Sequence, residues 1–372
     1  MTPYILATRD IGDANTEITS KSGIGRGLLT EATSATVTEE RNGAYVLELD
    51  YPTTGRLYSE LVVGAIIAAR GNQIDVEQPF RIEQVKADIY GTVHITARHA
   101  IIADLAHCTL DYAVGGKGPM SLISNMTYRV CGGSSYGPQI IYTTDGFKDT
   151  GTVYEYVGDP GGSPLDAISE VIDRYGGELY YVGNVLTLAK SRGKDRGAVI
   201  RYGANMTAGN FTWSMSGMAG KLIPYYEDDA NRVDGDAIPL SVTDSPYDRY
   251  VQYVDVTDLI DSSGGKPTAS DVTAAGKNYL SATPTYGQMP VNYEVSWSPG
   301  LQAETIGLCD TVTVEHADLG ISISSLVTKT TWDVLMDRYT KVEIGTPKLT
   351  AAKQISKIKT ATVQLVEVLP AR

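Results

Sequence analysis

Cysteine is scarce in this 372-residue chain, and its three copies are poorly spaced for chemistry. Cys108, Cys131 and Cys309 are odd in number, far apart and outside any CxxC spacing. That argues against a disulfide framework or a zinc knuckle and leaves buried, reduced thiols as the expectation. Basic charge is short as well: 31 Lys and Arg stand against 44 Asp and Glu, a formal net charge of -13. A phosphate-binding surface would lack the cationic excess that counterion release requires, which argues against sequence-specific nucleic-acid binding. An acidic channel, by contrast, lets DNA pass without adhering. The longest apolar run, Leu61 to Ala69, falls short of the ~20 residues a membrane helix needs. The N-terminus MTPYILATRD lacks the basic and apolar regions of a signal peptide, so we expect a protein made in the cytoplasm with no integral membrane segment. Phenylalanine is nearly absent, with 3 copies against 24 Tyr. Tyrosine joins strand propensity to a polar tip, which suits half-buried sheets and wet interfaces.

Catalytic signatures are missing too. Met215 to Leu222 reads MSGMAGKL, but a phosphate-binding loop needs glycine where Met215 stands and Ser or Thr where Leu222 stands. Gly23, Gly25 and Gly27 do not fit GxGxxG. His94, His99 and His107 lie near Cys108, yet His94 and His99 are an odd number apart, so on a strand they point to opposite faces and a shared metal would require a bend between them. The carboxylate pairs Glu39-Glu40 and Asp228-Asp229 are adjacent in sequence, the pattern of a solvated turn more than of an acid and base facing across a cleft. The expectation is no enzyme, no cofactor and no metal site.

What is present is β pattern. Leu61 to Ala97 and Ile306 to Gly345 share one layout: an apolar strand, a short loop, a second strand, and a third strand after an Asp-containing turn. Similar β units at the two ends suggest pseudo-symmetry and an assembly role. Ahead of the first, Ala35 to Asp50 holds two alternating runs joined across Arg41-Asn42-Gly43, a strong hairpin signal. His99 to His107 reads as a helix. Ser163 to Gly176 opens with Ser-Pro, carries Leu165, Ile168, Val171 and Ile172 at helical spacing and stops at Gly176-Gly177. A hairpin follows across Gly183-Asn184. Asp271 to Ala282 is a further helix capped by Ser270 or Asp271, and Val291 to Trp297 a strand. The fold class is mainly β with α+β insertions: residues 1–107 a first barrel, 108–200 a small α+β domain, 201–290 strands of a second barrel plus an inserted domain, 291–348 its remainder, and 349–372 a tail, either a short helix or a frayed end.

Four stretches together resemble the N-terminal hub region of phage and prophage tail-associated lysin (tail endopeptidase) proteins. They are Leu28 to Pro52, Gln78 to Val85, Gly176 to Met206, and Gly307 to Gly345 with its LCDTVTV and MDRYTKVEIG portions. The resemblance implies a fold similar to the central baseplate hub of contractile tails, with two tube-like β-barrels per chain separated by smaller domains. It implies a homotrimer whose ring imitates six-fold symmetry, mates with a hexameric distal tail protein ring and gates a channel for tape measure protein and DNA, with tip fibre or receptor-binding proteins as further partners. Its setting is the virion tail tip. Relatives often continue into a lytic domain and this chain ends at Arg372, so no hydrolase activity is carried over. The rival readings are a cell-wall hydrolase with an unrecognised site and a carbohydrate- or receptor-binding tip module, the latter without an obvious platform because Trp213, Trp297 and Trp332 are scattered. Glu227, Asp228 and Asp229 are the candidate lumen or interface residues, set against an ordinary exposed acidic loop.

Overall fold

Two short strands, Tyr4–Ile5 (β1) and Gly27–Leu28 (β2), flank the helix Ile11–Ser20 (α1) at the start of the chain. The structure, a computed structural model, describes residues 2–20, 25–131, 137–149, 151, 153–213, 218–228, 231–240, 249–260, 266–282, 291–297, 305–319 and 321–345. Strict alternation then builds Ser34–Glu40 (β3) and Tyr45–Pro52 (β4), whose burial alternates residue by residue. Tyr45, Leu47, Leu49 and Tyr51 all point inward, each contributing roughly 1.5–3 kcal/mol by leaving water. Asn42 takes the left-handed conformation in the turn between the two strands, as the Asn-Gly signal requires. A single 3-10 turn at Tyr58–Glu60 precedes Ile66–Ala69 (β5), which is shorter than the apolar run because Gly64, at φ 87°, turns the chain first. Gln78–Ala87 (β6) and Thr92–His99 (β7) complete the N-terminal strands.

The helix Ala100–Ala106 (α2) ends that region. Next come Val114–Gly116 (β8), Pro119–Asn125 (α3), Ile141–Asp145 (β9), Glu155–Val157 (β10), Pro164–Tyr175 (α4), Glu178–Val182 (β11), Val185–Ala189 (β12) and Asp195–Arg201 (β13). Ser163 caps α4 by accepting the Asp166 amide, and Gly176 and Gly177 stop it with left-handed backbone. The hairpin β11–β12 then pairs in parallel with β9 through β12. One expectation fails here. Cys108 and Cys131 form a disulfide with Cα atoms 5.5 Å apart, while Cys309 stays free and buried. The Leu110–Val130 bridge and the Arg129 carbonyl, which accepts from Asp111, bring the two half-cystines together, a closeness that a 23-residue separation hides.

Met206–Trp213 (β14) leads into a second compact unit, residues 174–176 and 209–294, distinct from the unit formed by the rest of the chain. It contains Lys221–Glu227 (β15), Arg232–Asp234 (β16), Ile238–Pro239 (β17), Val251–Asp255 (β18) and Ala269–Ala282 (α5). β15 is the central strand, antiparallel to β16 and β17 on one side and parallel to β18 on the other. Tyr226, Val256, Val272 and Ala275 form the core beneath α5. The cap of α5 is Thr268, not Ser270 or Asp271 as read from sequence. The Thr268 amide and hydroxyl both donate to Asp271, and the Asp271 amide donates back to the hydroxyl, a reciprocal box that uses Asp271 in the first turn.

The chain returns through Val291–Trp297 (β19) to Thr311–His316 (β20), Ile321–Asp333 (β21) and Arg338–Gly345 (β22). The two end segments prove to be antiparallel meanders of one order, β5-β6-β7 and β20-β21-β22. They also share a sheet: the hydrogen-bonded path runs β22-β21-β3-β4-β7-β6-β5-β1-β2. The seam is the pairing of β21 with β3, from Lys329 opposite Glu40 to Asp333 opposite Thr36. The first meander joins through its third strand, β7 to β4, and the second through its middle strand. The fold is therefore mainly β around one curled sheet made by both ends of the chain. The tail at 349–372, read as either a short helix or a frayed end, lies outside the described residues.

Candidate functional site

Four sequence-distant segments meet in a buried ionic joint within the first unit. Glu39, at the inward position that follows Ala35 and Val37 on β3, is only 2% exposed and pairs with Arg192 Nη1 at 2.8 Å. Arg192 follows β12, and its guanidinium also lies 3.9 Å from Asp75 and 4.7 Å over the ring of Tyr180. The Tyr180 hydroxyl donates to Asp75 at 2.8 Å, and the Arg192 amide donates to Glu178 at 2.7 Å. Burial opposes the charge on Arg192, but the charge of Glu39 and its hydrogen bond more than offset this and hold the guanidinium above its ordinary range. Glu178 also accepts from Arg41 at 2.9 Å, while Asn42 donates to the Gly177 carbonyl and accepts from the Leu179 amide. The β3–β4 turn is thus fastened to the start of β11.

The C-terminal segment enters the same region through Asp310, which accepts from the Gly307 and Lys194 amides and from Arg196 Nε, each at 2.7 Å. Gly193 is obligatory here, because a Cβ would sit 1.7 Å from the Cys309 carbonyl oxygen. Burial, with Glu178 next, pushes the Cys309 thiol up to about 12, so it is no nucleophile at neutral pH. A cavity of about 290 Å³ opens beside the joint, lined among others by Asn72, Asp75, Tyr180, Arg192, Lys194 and Asp310. Of its acids, Asp75 and Asp310 already face a base, amides or a hydroxyl, and Asp145 is exposed. Such an arrangement clamps segments together.

No protein-family model and no curated sequence matches the chain. Solved structures do. Prophage tail protein gp18 from Listeria monocytogenes EGD-e superposes with a TM-score of 0.63 at 14% identity, over 97% of this chain and 99% of that one. The 43 kDa tail protein of prophage MuSo2 from Shewanella oneidensis gives 0.61 at 14% identity over 86% and 96% of the two chains. The tail protein from Neisseria meningitidis MC58 gives 0.55 at 10% identity over 85% and 92%. This is the fold of prophage tail proteins.

Within that tail-protein fold the residues singled out from sequence scatter. Glu227 ends β15 in the second unit and lies 3.5 Å from Arg232, and Asp228 accepts the Asn231 amide at 2.7 Å. Both are exposed, while Asp229 lies outside the described residues. The four histidines occupy separate places. His94 is exposed against Asp50, and His99 on the opposite face of β7 is buried and stacked on Tyr45. His107 follows α2, and His316 stacks on Tyr202. Trp332 is buried in the core, and Tyr154 and Tyr156 form an exposed aromatic pair whose rings lie over Gly115. Glu39 corrects the reading of Glu39-Glu40 as a solvated turn: only Glu40 faces outward, to Lys329 at 2.6 Å. The available signal was the period-two alternation of Ala35, Val37 and Glu39, which places a carboxylate in a core row and demands a buried cation.

Proposed function

We propose that this chain is the structural hub of a phage or prophage tail tip. It acts as a homotrimer that joins a hexameric distal tail protein ring to the tip and gives passage to tape measure protein and DNA. The observation that carries the reading is the likeness of fold along 97% of the chain to a prophage tail protein, with the same likeness to two others. The chemistry agrees with it, since the densest cluster of charge is spent on fastening segments together. Two meanders of one order per subunit let three copies present six similar contacts, which is how a three-fold ring meets a six-fold one. The net charge of -13 keeps the wall of a channel from holding DNA.

The test is mass and shape in the presence of the distal tail protein of the same phage. Light scattering is expected to give three copies of this chain per distal tail hexamer, and electron microscopy a ring. A chain that stays monomeric and forms no ring with that partner present sinks the reading.

A further inference from the structure

The two meanders each end in a hairpin whose tip is apolar, and the register places both tips at one end of the sheet. In the β6–β7 tip, Ile89 is 91% and Tyr90 88% exposed; in the β21–β22 tip, Met336 is 63% and Leu335 36% exposed. Asp333 pairs with Thr36, Ser34 with Asp50 and Pro52 with Thr92, so the loops 88–91 and 334–337 leave the sheet on the same side. Their construction matches as well. Asp88 accepts from the amides of Tyr90 and Thr92, and Asp333 accepts from those of Leu335 and Met336. Each loop closes on a left-handed residue, Gly91 at φ 86° and Asp337 at φ 53°. The carboxylates take up the turn amides, so what each tip offers outward is a pair of apolar side chains.

At the far end of the same strands the β3–β4 turn is held by Asn42 and Arg41 against Gly177, Leu179 and Glu178. The tip end carries both apolar pairs. With β3 and β4 between the hairpins, their midlines are four strand spacings apart, roughly 19 Å along the sheet.

We infer that Ile89-Tyr90 and Leu335-Met336 are paired docking plugs for a ring-forming protein that repeats one apolar socket around its ring, each subunit of this chain filling two neighbouring sockets. One apolar plug fits any greasy pocket; two of like build on one side of one sheet call for a partner whose surface repeats. The inference rests on the tail-tip reading above, and the ring to use is the distal tail protein hexamer.

Three variants decide it: Ile89→Asn with Tyr90→Asn, Leu335→Asn with Met336→Asn, and all four together. Each is compared with the unaltered chain for affinity to the immobilised hexamer and, alone, for mass by light scattering and for circular dichroism. Each pair is expected to weaken capture by about tenfold or more, and the fourfold change to abolish it, with mass and dichroism unchanged. Equal capture by the fourfold variant and the unaltered chain overturns the inference while leaving the tail-tip reading intact. Loss from one tip alone overturns the pairing. A fall in the mass of the isolated protein overturns it in favour of contacts between copies of this chain. If a variant loses its dichroism, Ile89→Ser with Tyr90→Ser and Leu335→Ser with Met336→Ser replace it under the same criteria. Failure of the unaltered chain to bind the hexamer counts against the tail-tip reading itself and takes the inference with it.

Discussion

Arg192 is the residue on which the buried joint turns. With its side chain 10% exposed and Glu39 at 2%, removing either partner strands a charge away from water. Arg192→Ala is expected to cost about 3–5 kcal/mol in urea unfolding, whereas Glu39→Leu with Arg192→Met is expected to recover most of it by replacing charge with packed apolar volume. A double variant as unstable as the single would show that Asp75 and Tyr180, not Glu39, hold the joint. His99 makes a second prediction. Burial alone lowers its pKa from 6.5 to about 3, so the folded ring is neutral and the unfolded ring takes up the proton first. Stability from this group is complete above the unfolded pKa and declines by about 1.4 kcal/mol per pH unit as pH falls toward 3. Replacing it by Gln removes the titration, so the difference in urea midpoint between His99→Gln and the native chain should shrink from pH 7 to pH 4.5. A constant difference would mean that the buried ring is not the group responsible.

At the scale of elements, glycine separates positions set by backbone shape from positions set by neighbours. Gly64 has φ 87° and open space around its missing Cβ, so Gly64→Ala is expected to cost only about 1 kcal/mol of left-handed strain. Gly193→Ala drives a methyl into the Cys309 carbonyl, backbone against backbone, and is expected to cost about 2–4 kcal/mol and to loosen Asp310 from Lys194. Thermal unfolding of the pair checks the order; a larger loss at Gly64 would reverse it. The same division explains what could be read in advance. The hairpin at Asn42, helix α4 between Ser163 and Gly176, and the hairpin at Gly183 are written in local residues, and each appears where its signals stand. The Cys108–Cys131 bond, the Glu39–Arg192 pair and the seam between β21 and β3 join residues far apart in sequence, and no local signal names the partner. The cap of α5 was missed for a smaller reason: Asp271 is a good cap by type, but the box places it in the first turn and gives the cap to Thr268.

For the whole molecule, the division into two compact units predicts how it unfolds. The second unit has its own four-stranded sheet, its own helix and its own core, whereas the first depends on strands from both ends of the chain. Calorimetry is expected to show two transitions, with Val272→Ala, in the core beneath α5, shifting one of them and leaving the other in place. One transition shifted as a whole would show the units to be a single cooperative body. The tail-protein fold was legible in the four stretches that resemble phage tail hub proteins, and the likeness to a prophage tail protein at 14% identity agrees with that much.

β21 has a mechanical consequence. Its first half pairs with β20 and its second half lies between β22 and β3, so one continuous strand runs from the neighbourhood of the ionic joint, where Val327 meets the Asp310 loop, to the apolar tip at Leu335. The seven residues Val327 to Asp333 that join the two reach about 23 Å. A pull on the tip is directed along this strand, and to yield it must slide past its neighbours, breaking many ladder hydrogen bonds together instead of one after another. Load on the tip is then carried in shear, as in a tie rod, to the place where strands from both ends of the chain pair.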